Sequence, residues 1–182
     1  MDRQRQNLIF TIAGSIGVFL IILIGISVFV SQRTIKYTHD RFTVSYPADW
    51  RMAENYHEAA VVFQTPQANA LDTFYENVSI VIQDLRANPL SLRKYSEIAV
   101  DQVKAVFENN IIVLEEQSTY LSGQAGFKFV YVGRGEELDI QMMSIWTVKD
   151  EFAYQINFTA TAASYDKYWP KVEALIKSFR IK

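Results

Sequence analysis

The chain has 182 residues, no cysteine and a formal net charge of −2. The missing cysteine excludes disulfides, thiolate metal sites, a cysteine nucleophile and lipid attachment at a cysteine. With 49% hydrophobic and 14% aromatic residues the chain is not a disordered polymer, and no run of like charge is long enough for a nucleic-acid surface.

Residues 1–7 are a short charged tail. Residues 8–30, LIFTIAGSIGVFLIILIGISVFV, are 23 residues without a charge. As a helix they extend about 34 Å at ~1.5 Å per residue, against a hydrocarbon core of ~30 Å. The stretch exceeds the roughly 7–15 apolar residues of a signal peptide and ends without a small-residue cleavage pattern. It therefore reads as a retained transmembrane helix, with Gly25-Ile26-Ser27 the one conceivable cleavage point. Gly14, Gly17 and Gly25 are not spaced as G-x-x-x-G, so a plain anchor is the simpler reading. Arg3 and Arg5 precede the span; Arg33, Lys36 and Arg41 follow it. A short charged tail before a long first apolar segment stays inside, which places the globular part on the extracytoplasmic (periplasmic, lumenal or extracellular) side.

Residues 31–40, SQRTIKYTHD, read as a polar linker. From Ser31 onward 16 Lys+Arg face 19 Asp+Glu, a net −3. Residues 41–182 have the length of one ordinary domain.

In that domain Phe42, Val44 and Tyr46 alternate with polar residues as in a half-buried strand, which Pro47 ends. Asp49-Trp50 reads as a tight turn. Ala59–Gln64 and the run around Val78, Ile80 and Ile82 are further strands. Ser91 is an N-cap for a helix whose apolar stripe is Leu92, Tyr95, Ala99, Val103 and Val106, ended by Asn109-Asn110. Four strands follow: Ile111–Tyr120, Gly126–Gly133, Asp139–Val148 and Glu151–Ala160. Ser122-Gly123, Gly133-Arg134-Gly135 and Lys149-Asp150 make their turns. A second helix over about Asp166–Phe179 buries Trp169, Val172, Leu175, Ile176 and Phe179, with Pro170 near its first turn. The fold class expected is α+β, an antiparallel sheet of about six to seven strands packed with two helices.

Candidate chemistry is sparse. His57 beside Glu54 and Glu58 is a metal corner short of ligands, more simply read as solvated charge. His39-Asp40 is weaker. Glu136, Glu137 and Asp139 gather at a hairpin tip without a calcium-loop pattern. Ser79 and Ser144 lack a nucleophile elbow, and no phosphate-binding glycine loop occurs. Asn77-Val78-Ser79 and Asn157-Phe158-Thr159 match the glycosylation acceptor pattern but lie inside predicted strands. No catalytic residue, metal site or cofactor is expected, and the chain is read as a non-enzyme. The remaining feature is its ten Tyr, twelve Phe and three Trp. Trp50, Tyr56, Phe74 and Tyr75 fall near loops and are the candidate docking surface.

Phe42-Thr43-Val44-Ser45-Tyr46-Pro47-Ala48-Asp49-Trp50, Glu76-Asn77-Val78-Ser79-Ile80, the Leu121-Ser122-Gly123 turn and the ending Lys177-Ser178-Phe179-Arg180-Ile181 resemble, in order and spacing, the PsbP family and the wider Mog1/PsbP-like fold. The resemblance spans nearly all of residues 41–182. It implies a layered α+β domain that works by binding. Family members in oxygenic phototrophs are lumenal photosystem II subunits supporting calcium and chloride retention; relatives include thylakoid assembly factors, bacterial envelope proteins and a nuclear GTPase-binding protein. This chain lacks the extended docking arm of the plant form and the lipidated cysteine of the cyanobacterial form, and carries an apolar helix instead. The expectation is a membrane-anchored accessory or assembly subunit of a membrane protein complex, a photosystem being one candidate. The alternative is a tethered cell-envelope protein that binds a small apolar ligand or lipid.

Overall fold

Alternating apolar residues build most of the strands, and the elements they form place two helices on opposite faces of one sheet. The computed structural model describes residues 33–67 and 74–182. The predicted tail 1–7, transmembrane helix 8–30 and first residues of the predicted linker lie outside the described residues. Among the described residues no helix is long and apolar enough to cross a membrane.

The first strand is β1 (Thr34–Thr38), inside the stretch read as linker. It is followed by β2 (Phe42–Pro47), β3 (Arg51–Tyr56), β4 (Ala59–Gln64) and β5 (Asn77–Asp84). Helix α1 (Leu92–Phe107) leads to β6 (Ile111–Leu121), β7 (Gln124–Gly133), β8 (Ile140–Lys149) and β9 (Phe152–Thr161). Helix α2 (Tyr165–Ser178) and the short β10 (Arg180–Ile181) close the chain. A 7-stranded sheet has the order β3-β4-β5-β9-β8-β7-β6, and a separate 3-stranded sheet has the order β1-β2-β10. All neighbours in the large sheet run antiparallel. The α+β class with two helices is thus observed, but the Phe42 strand belongs to the small sheet.

Alternation along the central strands divides the core in two. On one face Phe63, Ile80, Met143, Ile156 and Phe158 pack with Val172, Leu175 and Phe179 and with Phe42 and Val44 of the small sheet. On the other, Phe129, Tyr131, Trp146 and Ala153 meet Tyr95 and Val100 of α1. Val172 and Leu175 are 0% and 1% exposed. Each such side chain contributes about 1.5–3 kcal/mol, which makes α2 the more deeply anchored helix.

Several local details depart from the sequence reading. Tyr37 turns the linker into a strand: it is buried against Phe42 (5.9 Å between ring centroids) and Phe63 (6.1 Å), while its four strand neighbours are exposed. Ser91 does cap α1, accepting from the Lys94 N–H at 3.3 Å, but the helix ends on Glu108 at φ 49°, not on an asparagine. The β8–β9 turn is Asp150-Glu151, at φ 50° and 61°, one residue later than expected. Pro170 lies in the second turn of α2. The Asp166 carbonyl it leaves unbonded is on an exposed residue, where water can serve it.

Burial pushes the Tyr131 and Tyr165 phenols up to about 12, and burial with a hydrogen bond to Glu54 does the same for Tyr37. An unfolded phenol ionises near ~10, so the folded state holds these protons longer. This stability is complete below that pH and is lost as pH rises towards about 12. Near-ultraviolet titration of the folded chain is expected to show a late group of tyrosines, with unfolding setting in across the same window. One uniform phenolate transition with the fold intact would contradict it.

Candidate functional site

The sequence-stated candidates disperse in three dimensions. Glu54 and His57 follow a strand whose side chains alternate, and they part company. Glu54 hydrogen-bonds Tyr37 at the small sheet. His57 takes φ 52° in the β3–β4 turn and sits edge-on to Tyr56, with ring centroids 4.5 Å apart. Among the described residues no three His, Asp or Glu side chains come together to hold a metal ion.

Of the four aromatic candidates, Trp50 is only 4% exposed and packs edge-on against Tyr168 of α2. It belongs to the core, because the turn after β2 drives its ring under the helix; its indole N–H has no hydrogen-bond partner. Tyr56 is 56% exposed. Phe74 and Tyr75 are half-buried ahead of β5, where the Tyr75 carbonyl accepts from the Asn77 side chain at 3.2 Å. Gln64 pairs with both Arg51 and Asn77, so Trp50 and Tyr75 share one end of the sheet. Tyr56 lies five residues further along β3, roughly 17 Å away at ~3.3 Å per residue. The four do not form one patch.

Tyr56 instead borders an open concavity on the face that α1 leaves uncovered. Met52, Val62, Gln64, Asn77 and Ser79 floor it, and its volume is about 640 Å³. Beside it a polar ladder crosses the central strands, where Ser79 pairs with Asn157 and Asn157 with Ser144. The Ser144 hydroxyl donates to Asn157 Oδ1 at 2.8 Å, Gln155 Nε2 to the same oxygen at 2.6 Å, and Asn157 Nδ2 to the Ser79 hydroxyl at 3.4 Å. Tyr95 of α1 donates to Gln83 Oε1 at 3.1 Å at its margin. These are neutral amides and hydroxyls, groups that bind rather than exchange protons at neutral pH. The alternation of Gln155, Asn157 and Thr159 announced a polar face; which strands would lie beside it depended on long-range pairing.

A second groove of about 490 Å³ runs between α1 and β6–β7, with Leu92, Val100 and Phe127 beneath and Lys104 and Glu116, paired at 3.2 Å, on its rim. At the end of the interior strand β5, Asp84 is bonded to the Arg86 guanidinium through both oxygens, which holds its carboxyl at about 2. The Arg41 guanidinium lies 3.7 Å from the centroid of the Phe152 ring.

Residues 26–181 match the family of PsbP-like proteins. No curated protein matches the chain. Among solved structures, the chain is similar to the cyanobacterial PsbP, CyanoP, of Synechocystis, at a TM-score of 0.60 and 13% identity over 82% of this chain and 92% of that one. It is similar to LpqN of Mycobacterium tuberculosis, described as involved in cell envelope biogenesis, at 0.64 and 12% over 82% and 91%. It is also similar to the Ran-binding protein Mog1p of Saccharomyces cerevisiae, at 0.56 and 10% over 82% and 95%. At these identities the likeness concerns the fold.

Proposed function

The chain belongs to the PsbP-like protein family, and from that premise we propose that it is a non-catalytic accessory or assembly subunit of a membrane protein complex, anchored by residues 8–30 with its folded domain on the extracytoplasmic side. The observation that carries this reading is the uncharged apolar run that ends at Val30, followed by β1 at Thr34. Only Ser31, Gln32 and Arg33 lie between the two in sequence. So short a link confines the domain near anything else in that membrane and raises its effective concentration to the order of mM, so a weak docking surface suffices. The fold supports the same reading: its open face carries hydrogen-bonding amides and hydroxyls. A photosystem is one candidate complex, supported by the likeness to CyanoP.

A second reading, a tethered envelope protein that takes a small apolar ligand or lipid, draws on the groove over Phe127 and the likeness to LpqN.

Membranes bearing the full chain, washed at alkaline pH, are expected to retain it, and a chain of residues 34–182 is expected to be released. After mild detergent the full chain should migrate with a larger complex. Full-chain protein found free and monomeric in the wash would end the tethered-subunit reading.

A further inference from the structure

One corner of the domain carries exposed apolar side chains that the fold does not explain. Val106 near the end of α1, Ile112, Val113 and Leu114 at the start of β6, and Leu138 in the β7–β8 loop are all exposed, Val106 at 78%, Leu114 at 53% and Leu138 at 44%. Backbone contacts join the segments that carry them. The Asn110 carbonyl accepts from the Arg134 N–H at 2.8 Å, tying the α1–β6 turn to the β7–β8 loop. The Phe107 ring lies directly over Gly133, where any Cβ would come within 2.2 Å of it.

The corner lies at the end of the domain where the chain comes in. Phe42 pairs with Ile181, and the Ile181 N–H donates to the Ser122 hydroxyl at 2.8 Å, so β2 starts at the end of the sheet opposite this corner. It runs towards Trp50 and the Gln64–Asn77 end, which is also where Gly133 pairs with Ile140 and Ile111 with Gly133. β1 reverses through the turn at His39 and so begins at the corner's end.

Charge decides what fits. The two turns at the rim of this corner carry Glu108, Glu136, Glu137 and Asp139, all exposed and, among the described residues, in no ion pair. Arg134 is the one cation in the loop that holds three of these acids. Anionic lipid headgroups would be repelled. A two-fold contact with a second copy would set this rim against itself. β6 is the edge strand of the sheet, and the bulge between Val113 and Glu115 in its pairing with β7 bends that edge, which favours a contact carried by side chains over an added strand.

We propose that this corner, the end of the domain that exposes Val106, Leu114 and Leu138, docks onto a membrane-protein partner whose own apolar patch is ringed by lysine and arginine. The proposal rests on the tethered-subunit reading and names its contact surface.

The test places a photo-crosslinking side chain at Leu114 of the full chain in its native membranes, with Tyr120, 76% exposed at the other end of the same strand, as control. The expected result is a protein adduct of defined mass at Leu114 only, attached to a partner peptide containing Lys or Arg. Charge reversal at Glu136→Lys with Glu137→Lys should lower its yield about ten-fold or more without changing thermal unfolding. Equal adducts at both positions, adducts only with lipid or a second copy, or an unchanged yield after charge reversal would each overturn the docking surface. Retention after an alkaline wash is read on the same samples. Loss from the membrane there sinks the tether itself, whereas retention without a Leu114 adduct sinks only the surface.

Discussion

Trp146→Ala is expected to lower the stability of the domain by about 3–5 kcal/mol, and Trp146→Phe by about 1–2 kcal/mol. Trp146 is 2% exposed at the centre of the layer between the sheet and α1. Its ring stacks on Phe127 at 5.3 Å and meets Tyr95 edge-on at 6.4 Å. Its indole N–H donates to the Ser96 hydroxyl at 2.8 Å, and that hydroxyl donates in turn to the Leu92 carbonyl at 2.8 Å. Helix α1 buries only Tyr95, Ser96 and Val100, and Trp146 meets the first by packing and the second by a hydrogen bond. Alanine removes both and opens a cavity that the neighbouring backbone cannot close. The β7–β8 spacing is already fixed by Gly126, where a Cβ would come within 2.8 Å of the Trp146 carbonyl. Phenylalanine keeps most of the packing and loses only the hydrogen bond. Denaturant unfolding of the three proteins measures both steps. A loss under about 1 kcal/mol for the alanine variant would mean that α1 is held by something other than Trp146.

The same contrast between packed and unpacked faces explains which elements could be read in advance. β2, β4, β5 and β9 bury every second residue, so alternation marks them. β3, Arg51–Tyr56, is exposed at all positions; as a sheet edge with no covered face it carries no periodic signal, and the sequence marks only the Asp49-Trp50 turn before it. β1 buries Tyr37 alone, and β10 is two residues long. Helix boundaries followed the stripe and Ser91, but α1 ends on Glu108, whose N–H donates to the Lys104 carbonyl, two residues before the Asn110 carbonyl that the Arg134 N–H meets from across the chain. The docking aromatics fail for a related reason. Trp50 and Tyr56 are close in sequence, yet an extended strand carries one into the core and the other to the far end of the sheet. Exposed Val106 and Leu114 were assigned to a helix stripe and a strand, where composition alone gives no way to tell a core residue from a surface one.

Glu76→Ala is expected to cost about 2–4 kcal/mol, although the residue appeared in the sequence only as part of a family-like phrase. Its side chain is 4% exposed between the β4–β5 connection and the start of α2. One carboxylate oxygen accepts from the Thr65 hydroxyl at 3.2 Å, and the other accepts from the Ser164 hydroxyl. The Thr65 N–H donates to the Glu76 carbonyl at 2.9 Å, and the Thr161 hydroxyl donates to that of Ser164 at 2.8 Å. Because Ser164 faces Glu76, its side chain does not cap α2. The carboxylate stands there instead, where the positive end of the helix dipole favours a negative charge. Alanine would strand the buried Thr65 hydroxyl at roughly 1–3 kcal/mol and take the acceptor from the half-buried Ser164 hydroxyl, which the Thr161 carbonyl or water serves in part. Glu76→Gln keeps an acceptor for one hydroxyl and loses the charge, and should cost about half as much. Hydrogen exchange separates a local from a global effect: the amides of Lys167 and Tyr168 in the first turn should lose protection before those around Val172. Equal protection along the helix in the alanine variant, or a stability change within about 0.5 kcal/mol, would show that the loop and helix are joined without this carboxylate.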